Sequence, residues 1–373
     1  MLAFSFPQIV FCQHSRFVKI KGTSFINSWG GNLYLKSVSL NYWLDPDLKL
    51  FQPAEKTNLK SLEDLTKEAM DSYPSKIFWH TFQDSFITKN DLIFIKGLQF
   101  NTVNVPFDCR MFAPGTYLGN TTPRGFELVN RLIRWSHEIG MYIILDMQVN
   151  NIQNKNQLEN CLKAWQNIAK RYNNESLIAG FYVHPAPADS QQTDYARQVF
   201  YRKMIAAIRQ FDKNHIIFIN KKPEDSAKFY EKTFDSKLAC IFQSDTCQET
   251  FKKFTAFREK FNTPVFLDIS EGENYEWLEK TYIHAEKNQI GWNFQPYKRI
   301  DEYGCLLRVV PPANPELINE FSKGQTNLPD NLGKGGQNAE EMKKMLHQFL
   351  VNCRFIKCKP NTECIKALGL LRE

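Results

Sequence analysis

Side chains that can transfer protons or attack an electrophile stand in two short stretches of this 373-residue sequence. GFYVHPAPADS contains His184 and Asp189, and TPVFLDISEG contains Asp268 and Glu271. Imidazole and carboxyl groups are common general acids and bases, and a carboxylate can also act as a nucleophile. Cleavage of a glycosidic bond needs two such carboxyl groups that face each other. The question for the first stretch is therefore which residue would be the acid.

Eight short runs rich in β-branched and aromatic residues place these groups at the ends of predicted strands. The runs alternate with stretches of helical period, which is typical of βα units and a parallel sheet. Eight strands with interleaved helices favour a closed (β/α)8 TIM barrel of the α/β class over an open sheet. The predicted strands are LKSVSLNY (35–42), TVNVPF (102–107), YIILDM (142–147), IAGFYV (178–183), HIIFIN (215–220), LACIFQ (238–243), PVFLDI (264–269) and IGWNFQ (290–295).

The predicted helices carry recognisable start and stop signals. Thr88, with Asp91 three residues later, begins TKNDLIFIKG, and Gly97 ends it. Gly140 ends FELVNRLIRWSHEIG in the same way. The other predicted helices are LENCLKAWQNIAKRY (158–172), ARQVFYRKMIAAIRQF (196–211), TFKKFTAFREKF (250–261) and YEWLEKTYIHAEKN (275–288).

Further elements are predicted at both ends of the chain. FVKIKG and LYLKSVSL, joined by SWGGN, predict an N-terminal β-hairpin. NAEEMKKMLHQFL predicts an amphipathic helix that packs outside the barrel and is followed by a cysteine-containing tail. We therefore divide the chain into a candidate signal remnant (1–15), the barrel (16–335) and a C-terminal helical extension with its tail (336–373).

The composition limits the kinds of partner that the chain is expected to bind. With 43% apolar and 14% aromatic residues, the chain can bury a sizeable core. The 47 Lys and Arg residues give a formal net charge of +7, but they are spread along the chain without a basic run. This pattern argues against a nucleic-acid partner and is compatible with a neutral one. No run approaches the roughly 18 apolar residues of a membrane span, so we do not expect an integral membrane protein.

The N-terminus and the cysteines bear on the compartment. MLAFSFPQIVFCQ resembles the apolar core and end of a secretory signal, which favours a secreted or periplasmic protein; the alternative is a short buried strand. The nine cysteines include Cys353, Cys358 and Cys364, whose spacing matches no common zinc pattern. We expect no metal and no cofactor, and export would allow one or two disulfides.

Several of these segments resemble glycoside hydrolase family five, the cellulase-type β-glycanases. They are, in chain order, VSLNYWLDP, FWHTFQDSFITKNDLIFIKGLQFNTVNVPFD, YIILDMQVNNIQN, IAGFYVHPAP, TPVFLDISEG and IGWNFQPYK. The resemblance implies a (β/α)8 barrel with a sugar cleft at the C-terminal ends of its strands. It also implies a retaining mechanism, in which an acid/base and a nucleophile lie about 5 to 5.5 Å apart.

The position of the acid/base departs from the family pattern. The family's Asn-Glu-Pro on the fourth strand falls on Pro185, Ala186 and Pro187, and alanine cannot transfer a proton. His184 is one substitute, because it shares a strand face with Ala186. Asp189, projecting from a reshaped loop, is another.

The position of the nucleophile is also altered. The family's Gly-Glu on the seventh strand falls on Leu267 and Asp268, whose side chain is one methylene shorter. Its oxygens would lie about 1.5 Å short of attack distance, and a misplacement of about 1 Å can cost on the order of a hundredfold in rate. Asp268 is either a weakened nucleophile or a residual polar contact, and Glu271 is an alternative carboxylate.

Neighbouring positions lose charge or aromatic surface as well. Asn104 replaces the arginine that orients the nucleophile in the family, and Asp146-Met147-Gln148 replaces Asp-x-His. Gln295 stands where the family often has a tryptophan platform.

These departures predict a hydrolase-like barrel that has lost most or all hydrolysis of O-glycosidic bonds and still binds a β-glucan or related glycan. Aromatic rings would stack on sugar faces and amides would bind hydroxyl groups. The predicted binding residues are Trp43, Trp292, Asn41, Asn104, Gln148 and Gln295. Two alternatives stay open: an active retaining hydrolase with Asp268 as nucleophile and an acid supplied by His184, Asp189 or the substrate, and an interaction scaffold that binds no sugar.

Overall fold

A computed structural model describes most of the chain. The described residues are 16–51, 61–113, 122–149, 151–185, 194–220, 235–243, 248–269, 274–300, 304–318 and 337–371. Three short strands form an N-terminal antiparallel sheet: β1 (Lys19–Lys21), β2 (Ser24–Ile26) and β3 (Asn32–Leu33).

The N-terminal hairpin lies elsewhere than the sequence pattern predicts. Its tight turn is at Gly22, whose positive φ of 61° suits glycine, while SWGGN connects β2 to β3. LYLKSVSL is divided because Leu33 ends β3 and the following residues enter the barrel. Leu35, fully buried, packs with the apolar residues inside the barrel and marks that change of sheet.

Eight parallel strands close into a barrel, which confirms the predicted fold. The last strand pairs with the first, so that no edge remains open. The strands are β4 (Lys36–Ser39), β5 (Thr102–Phe107), β6 (Tyr142–Val149), β7 (Ile178–Pro185), β8 (Ile216–Asn220), β9 (Leu238–Gln243), β10 (Val265–Ile269) and β11 (Gly291–Phe294).

Helices cover the strands. They are α1 (Leu62–Met70), α2 (Ser72–Phe86), α3 (Lys89–Gly97), α4 (Arg124–Ile139), α5 (Lys155–Tyr172), α6 (Asp194–Arg209), α7 (Gln248–Phe261), α8 (Tyr275–Lys287), α9 (Gln337–Asn352) and α10 (Thr362–Ala367). The capping box of Thr88 and Asp91 is present at the start of α3, and Gly140 ends α4 in the left-handed conformation. None of the helices in the described ranges is long and apolar enough to cross a membrane.

The core has two parts, one inside the barrel and one between strands and helices. The inner part is apolar and includes Ile144, Phe218 and Phe266. The C-terminal helix α9 joins the outer part, where Phe349 packs against Phe51 and Phe82 with ring centroids 4.6 Å and 5.9 Å apart. Three short strands complete the C-terminal region: β12 (Lys298–Arg299), β13 (Leu307–Arg308) and β14 (Lys359–Pro360).

Candidate functional site

Polar residues occupy the C-terminal end of the barrel, above the apolar inner core. Because side chains alternate along a strand, every second residue near a strand end faces the barrel interior. The residues that meet at this end are all buried, so their polar atoms depend on partners within the barrel; among the described residues, the Tyr182 hydroxyl and Asn293 Oδ1 have no hydrogen-bond partner. They are Ser39, Asn104, Asp146, Tyr182, His184, Asp268 and Asn293.

One network crosses four neighbouring strands, β4 to β7. The Asn104 amide on β5 donates to Ser39 Oγ at 3.0 Å and to Asp146 Oδ2 at 2.9 Å. The other oxygen of Asp146 lies 3.4 Å from His184 Nδ1. The His184 ring stacks on Tyr182, two residues back on β7, with centroids 4.5 Å apart. Asn104 therefore holds the carboxylate that faces the imidazole.

A second network surrounds Asp268 on β10. Asn293 Nδ2 donates to Oδ1 at 2.8 Å, and Gln295 Nε2 donates to Oδ2 at 3.0 Å. Asn41 Nδ2 in turn donates to Gln295 Oε1 at 3.2 Å. Both carboxylate oxygens thus accept amide hydrogen bonds, and Asp268 is only 5% exposed. The side chain is firmly oriented but poorly accessible to an incoming sugar.

Electrostatic coupling joins the two networks. Burial raises the pKa of Asp268 to about 6, although hydrogen bonds from Asn293 and Gln295 and the charge of His184 oppose this rise. Burial by itself lowers the pKa of His184, but the carboxylates of Asp146 and Asp268 outweigh it and raise that pKa above its ordinary value. The two buried carboxylates thus stabilise the protonated form of His184 relative to the neutral form.

A cavity of about 240 Å³ opens at this end of the barrel. Asn41, Gln148 and Gln295 line it together, which brings three of the predicted sugar-binding amides to one surface. Asn104, the fourth, lies in the first network and is 5% exposed. The remaining lining residues are Tyr42, Asp45, Asp47, Lys49, Pro106 and Pro296.

The prediction of two aromatic platforms for a sugar is wrong. Trp43 and Trp292 are fully buried in the outer core and have no free face for a sugar. The Trp43 indole donates to the backbone carbonyl of Gln83 at 2.8 Å, and that of Trp292 donates to Glu286 at 2.9 Å. Trp292 neighbours the inward-facing Asn293 on β11, so alternation directs its ring toward the helices.

Asp45 is a site residue that sequence reasoning missed. It lines the cavity at the barrel end and also a second cavity of about 240 Å³, which includes Glu63, Asp108 and Arg110. Burial, together with the carboxylates of Asp108 and Asp47, raises the pKa of Asp45 to about 7. Its position in NYWLDP, in the segment that follows the C-terminal end of β4, is the signal that could have identified it.

Three of the alternative catalytic positions cannot be placed. Ala186, Asp189 and Glu271 lie outside the described residues. Pro185, at the end of β7, is buried and directly follows His184 on the strand. Within the described ranges, no group of three or more His, Cys, Asp or Glu side chains could hold a metal ion.

Comparisons with known proteins agree with this architecture. The model of the cellulase family, glycosyl hydrolase family 5, matches residues 63–253, just over half of the chain. A β-xylosidase from Phanerodontia chrysosporium is 24% identical over 224 residues, which are 55% of this chain and 46% of that protein. The chain thus spans less than half the length of this relative.

Solved structures show the same fold at low sequence identity. A cellulase aligns with a TM-score of 0.54 and 12% identity, over 92% of this chain and 95% of that one. An endocellulase from Pyrococcus horikoshii, solved as a complex with cellotetraose, also has a TM-score of 0.54 and 12% identity, over 78% and 93%.

Proposed function

The chain belongs to the cellulase family, glycosyl hydrolase family 5, and on that premise we propose that it binds a β-linked glycan while having lost most or all hydrolysis of O-glycosidic bonds. The observation that carries the proposal is the environment of Asp268. Both of its oxygens are held by amides, it is 5% exposed, and the family's acid/base position matches Ala186.

The loss of hydrolysis follows from the two steps that a retaining enzyme must perform. A nucleophile has to come within about 3 to 3.5 Å of the anomeric carbon. Asp268 has the shorter side chain, and reaching a sugar would require it to leave Asn293 or Gln295. The leaving group also needs a proton, and general acid catalysis contributes on the order of 10² to 10⁴ in rate. An alanine at that position cannot supply it.

Glycan binding is supported by the amide-lined cavity. Asn41, Gln148 and Gln295 present hydroxyl-matching donors and acceptors around about 240 Å³, enough for part of an oligosaccharide. The endocellulase from Pyrococcus horikoshii with the same fold was solved with cellotetraose. A β-1,4-linked glucan is therefore the first ligand to test.

One observation favours a second candidate function, residual retaining hydrolysis. His184 lies beside Asp146, its pKa is raised, and its charge also acts on Asp268. In this alternative Asp268 is the nucleophile and the His184 imidazolium protonates the leaving group. This electrostatic coupling between His184 and Asp268 is what supports a proton donor that acts together with the carboxylate.

A turnover assay separates these functions. The purified chain is incubated with cello-, manno- and xylo-oligosaccharides, and new reducing ends are measured. We expect none above the background of a matched Asp268→Asn protein. Turnover that disappears in Asp268→Asn, while Asp212→Asn retains it, would establish the second candidate instead.

Calorimetry with the same oligosaccharides tests glycan binding. We expect Gln148→Ala to weaken binding roughly fivefold, because one lost hydrogen bond corresponds to about 1 kcal/mol. Gln166→Ala removes an amide on the exposed face of α5 and is the matched control. No binding by the unaltered chain to any of the three classes would favour the scaffold and refute glycan binding.

A further inference from the structure

Asp45 lines two cavities that lie next to each other. The first cavity is the amide-lined one at the barrel end, and the second cavity, also of about 240 Å³, includes Glu63, Asp108 and Arg110. Building on the proposed glycan binding, we propose that the two cavities form one groove. In this groove Asp45 binds hydroxyl groups of a sugar unit, and the second cavity takes further units of the same β-linked chain.

The segment that carries Asp45 is fixed on two sides. Leu44, immediately before it, pairs with Phe107 at the end of β5 in an isolated parallel bridge. The Trp43 indole donates to the backbone carbonyl of Gln83 on α2 at 2.8 Å. The backbone at Asp45 is therefore held between the barrel end and α2 before a ligand arrives, which lowers the ordering cost of binding.

The lining of the second cavity suits a sugar unit. One face of α2 contributes Lys76, Trp79 and Gln83, which are spaced three and four residues apart. Leu44 and Met111 add apolar surface. A pyranose ring has apolar C–H faces and hydroxyl groups around its edge, so it matches a cavity with both apolar and polar side chains. Helices α1 and α2 thus extend the binding surface beyond the eight strands.

The charges around Asp45 leave its carboxylate available to a ligand. Arg110 lies 3.0 Å from Asp108 and 3.8 Å from Glu63, so these two carboxylates share its charge. Among the described residues, no ion pair compensates Asp45, and hydroxyl groups of a neutral sugar can therefore become its hydrogen-bond donors. The other charged residues that line either cavity are Asp47, Lys49, Glu63, Lys76, Asp108 and Arg110.

Ionisation of Asp45 gives the groove a measurable signature. Burial and the carboxylates of Asp108, Asp47 and Asp146 raise the pKa of Asp45 to about 7, while Arg110 opposes this rise. A carboxylate accepts stronger hydrogen bonds from sugar hydroxyls than a neutral carboxyl group does. The ligand therefore favours the ionised form, so its affinity should increase as pH rises through about 7.

Chain length tests whether the second cavity belongs to the groove. Binding of cellobiose, cellotetraose and cellohexaose to the purified chain is measured by calorimetry at pH 8. We expect cellohexaose to bind at least about tenfold more tightly than cellobiose. Lys76→Ala should weaken cellohexaose binding by about fivefold and leave cellobiose binding unchanged. Lys280→Ala, on the exposed face of α8, is the matched control.

The outcomes of this experiment separate the groove from the proposed function. Equal affinities for the three oligosaccharides, or a Lys76→Ala protein without a length-selective loss, would overturn the joined groove and leave glycan binding intact. If none of the oligosaccharides binds, the proposed function is refuted and the groove with it.

A pH profile tests the role of Asp45. Affinity for cellohexaose is measured at pH 6 and pH 8.5 in the unaltered chain, in Asp45→Asn and in Glu276→Gln, which removes an exposed negative charge from α8. We expect the affinity to rise about fivefold with pH in the unaltered chain and in Glu276→Gln, and to stay level in Asp45→Asn. A level profile in the unaltered chain, or an equal rise in Asp45→Asn, would remove Asp45 from the groove.

Discussion

Burial and hydrogen bonding act in opposite directions on Asp268, and burial prevails. Two amides stabilise its ionised form, yet its pKa is raised to about 6. The protein therefore holds a carboxylate at a position where burial favours an uncharged group. Strained polar groups of this kind are characteristic of functional sites, which trade stability for chemistry or binding.

Asp268→Asn should stabilise the protein at alkaline pH and have little effect near pH 4. The folded carboxyl has a pKa about 2 above its ordinary value, so the folded state binds the proton more tightly than the unfolded state. The free energy of unfolding therefore falls as pH rises from about 4 through 6. The full difference corresponds to roughly 3 kcal/mol. Urea unfolding of both proteins at pH 4 and pH 8 measures it.

Asp212→Asn provides a control of opposite sign. Burial opposes ionisation of Asp212, but His215 and two backbone N–H groups outweigh it and hold its pKa below the ordinary value. Its contribution is present above that ordinary value and is lost as pH falls through the folded pKa. This variant should lose stability at pH 8. Equal stability of Asp268→Asn and the unaltered chain at pH 8 would contradict the interpretation of Asp268.

At the scale of elements, periodicity and end signals predicted the barrel strands and most helices. The capping box at Thr88 and the terminal glycine at Gly140 work locally, so the sequence is sufficient to locate them. The orientation of the tryptophan side chains was harder to predict, because alternation defines two faces of a strand but does not say which face points into the barrel. Helix α2, by contrast, lies in a long segment between β4 and β5. The alternation of strands and helices does not predict an extra helix at that place.

A register shift between β6 and β7 is one reason why the sequence does not show which side chains face the barrel interior. The pairing of β6 with β7 shifts between Ile143 and Ile144, so that Ile143 pairs with Ile178 but Ile144 pairs with Gly180. Every side chain of β7 beyond this point changes phase relative to β6, including His184. Such a shift depends on contacts across strands, which a single sequence does not display.

Gly180→Ala should destabilise the barrel by roughly 3 kcal/mol. A Cβ at this position would lie 2.4 Å from the Ile216 carbonyl oxygen and 2.7 Å from the Phe218 ring, and a paired backbone carbonyl cannot withdraw. Gly97→Ala is the matched control, because its Cβ would meet nothing within 4 Å, and we expect it to be neutral or slightly stabilising. Comparable urea midpoints for the two variants would show that the strand adapts more readily than this geometry allows.

At the scale of the whole molecule, a buried charge connects the barrel to the C-terminal helix. Lys298, fully buried, lies 2.7 Å from Asp91 at the start of α3. Its ammonium group also donates to the carbonyl of Phe86 at 2.6 Å and to that of Cys353 at 3.2 Å. One side chain thus connects the ends of α2 and α9, the start of α3 and the segment that leaves the barrel.

Lys298→Met should cost about 3 to 5 kcal/mol of unfolding free energy, because it leaves the Asp91 carboxylate buried without its cation. Tyr297 still donates to Asp91 at 2.9 Å, but a neutral hydroxyl does not replace a charge. The double variant Lys298→Met/Asp91→Asn removes both charges, and we expect it to recover part of the loss, which a double-mutant cycle measures. The half-buried pair of Lys36 and Glu286, also 2.7 Å apart, keeps contact with water and is the control: Lys36→Met should cost no more than about 1 kcal/mol. If Lys298→Met costs no more than Lys36→Met, the C-terminal helix is held by apolar packing, and the buried charge contributes little to joining it to the barrel.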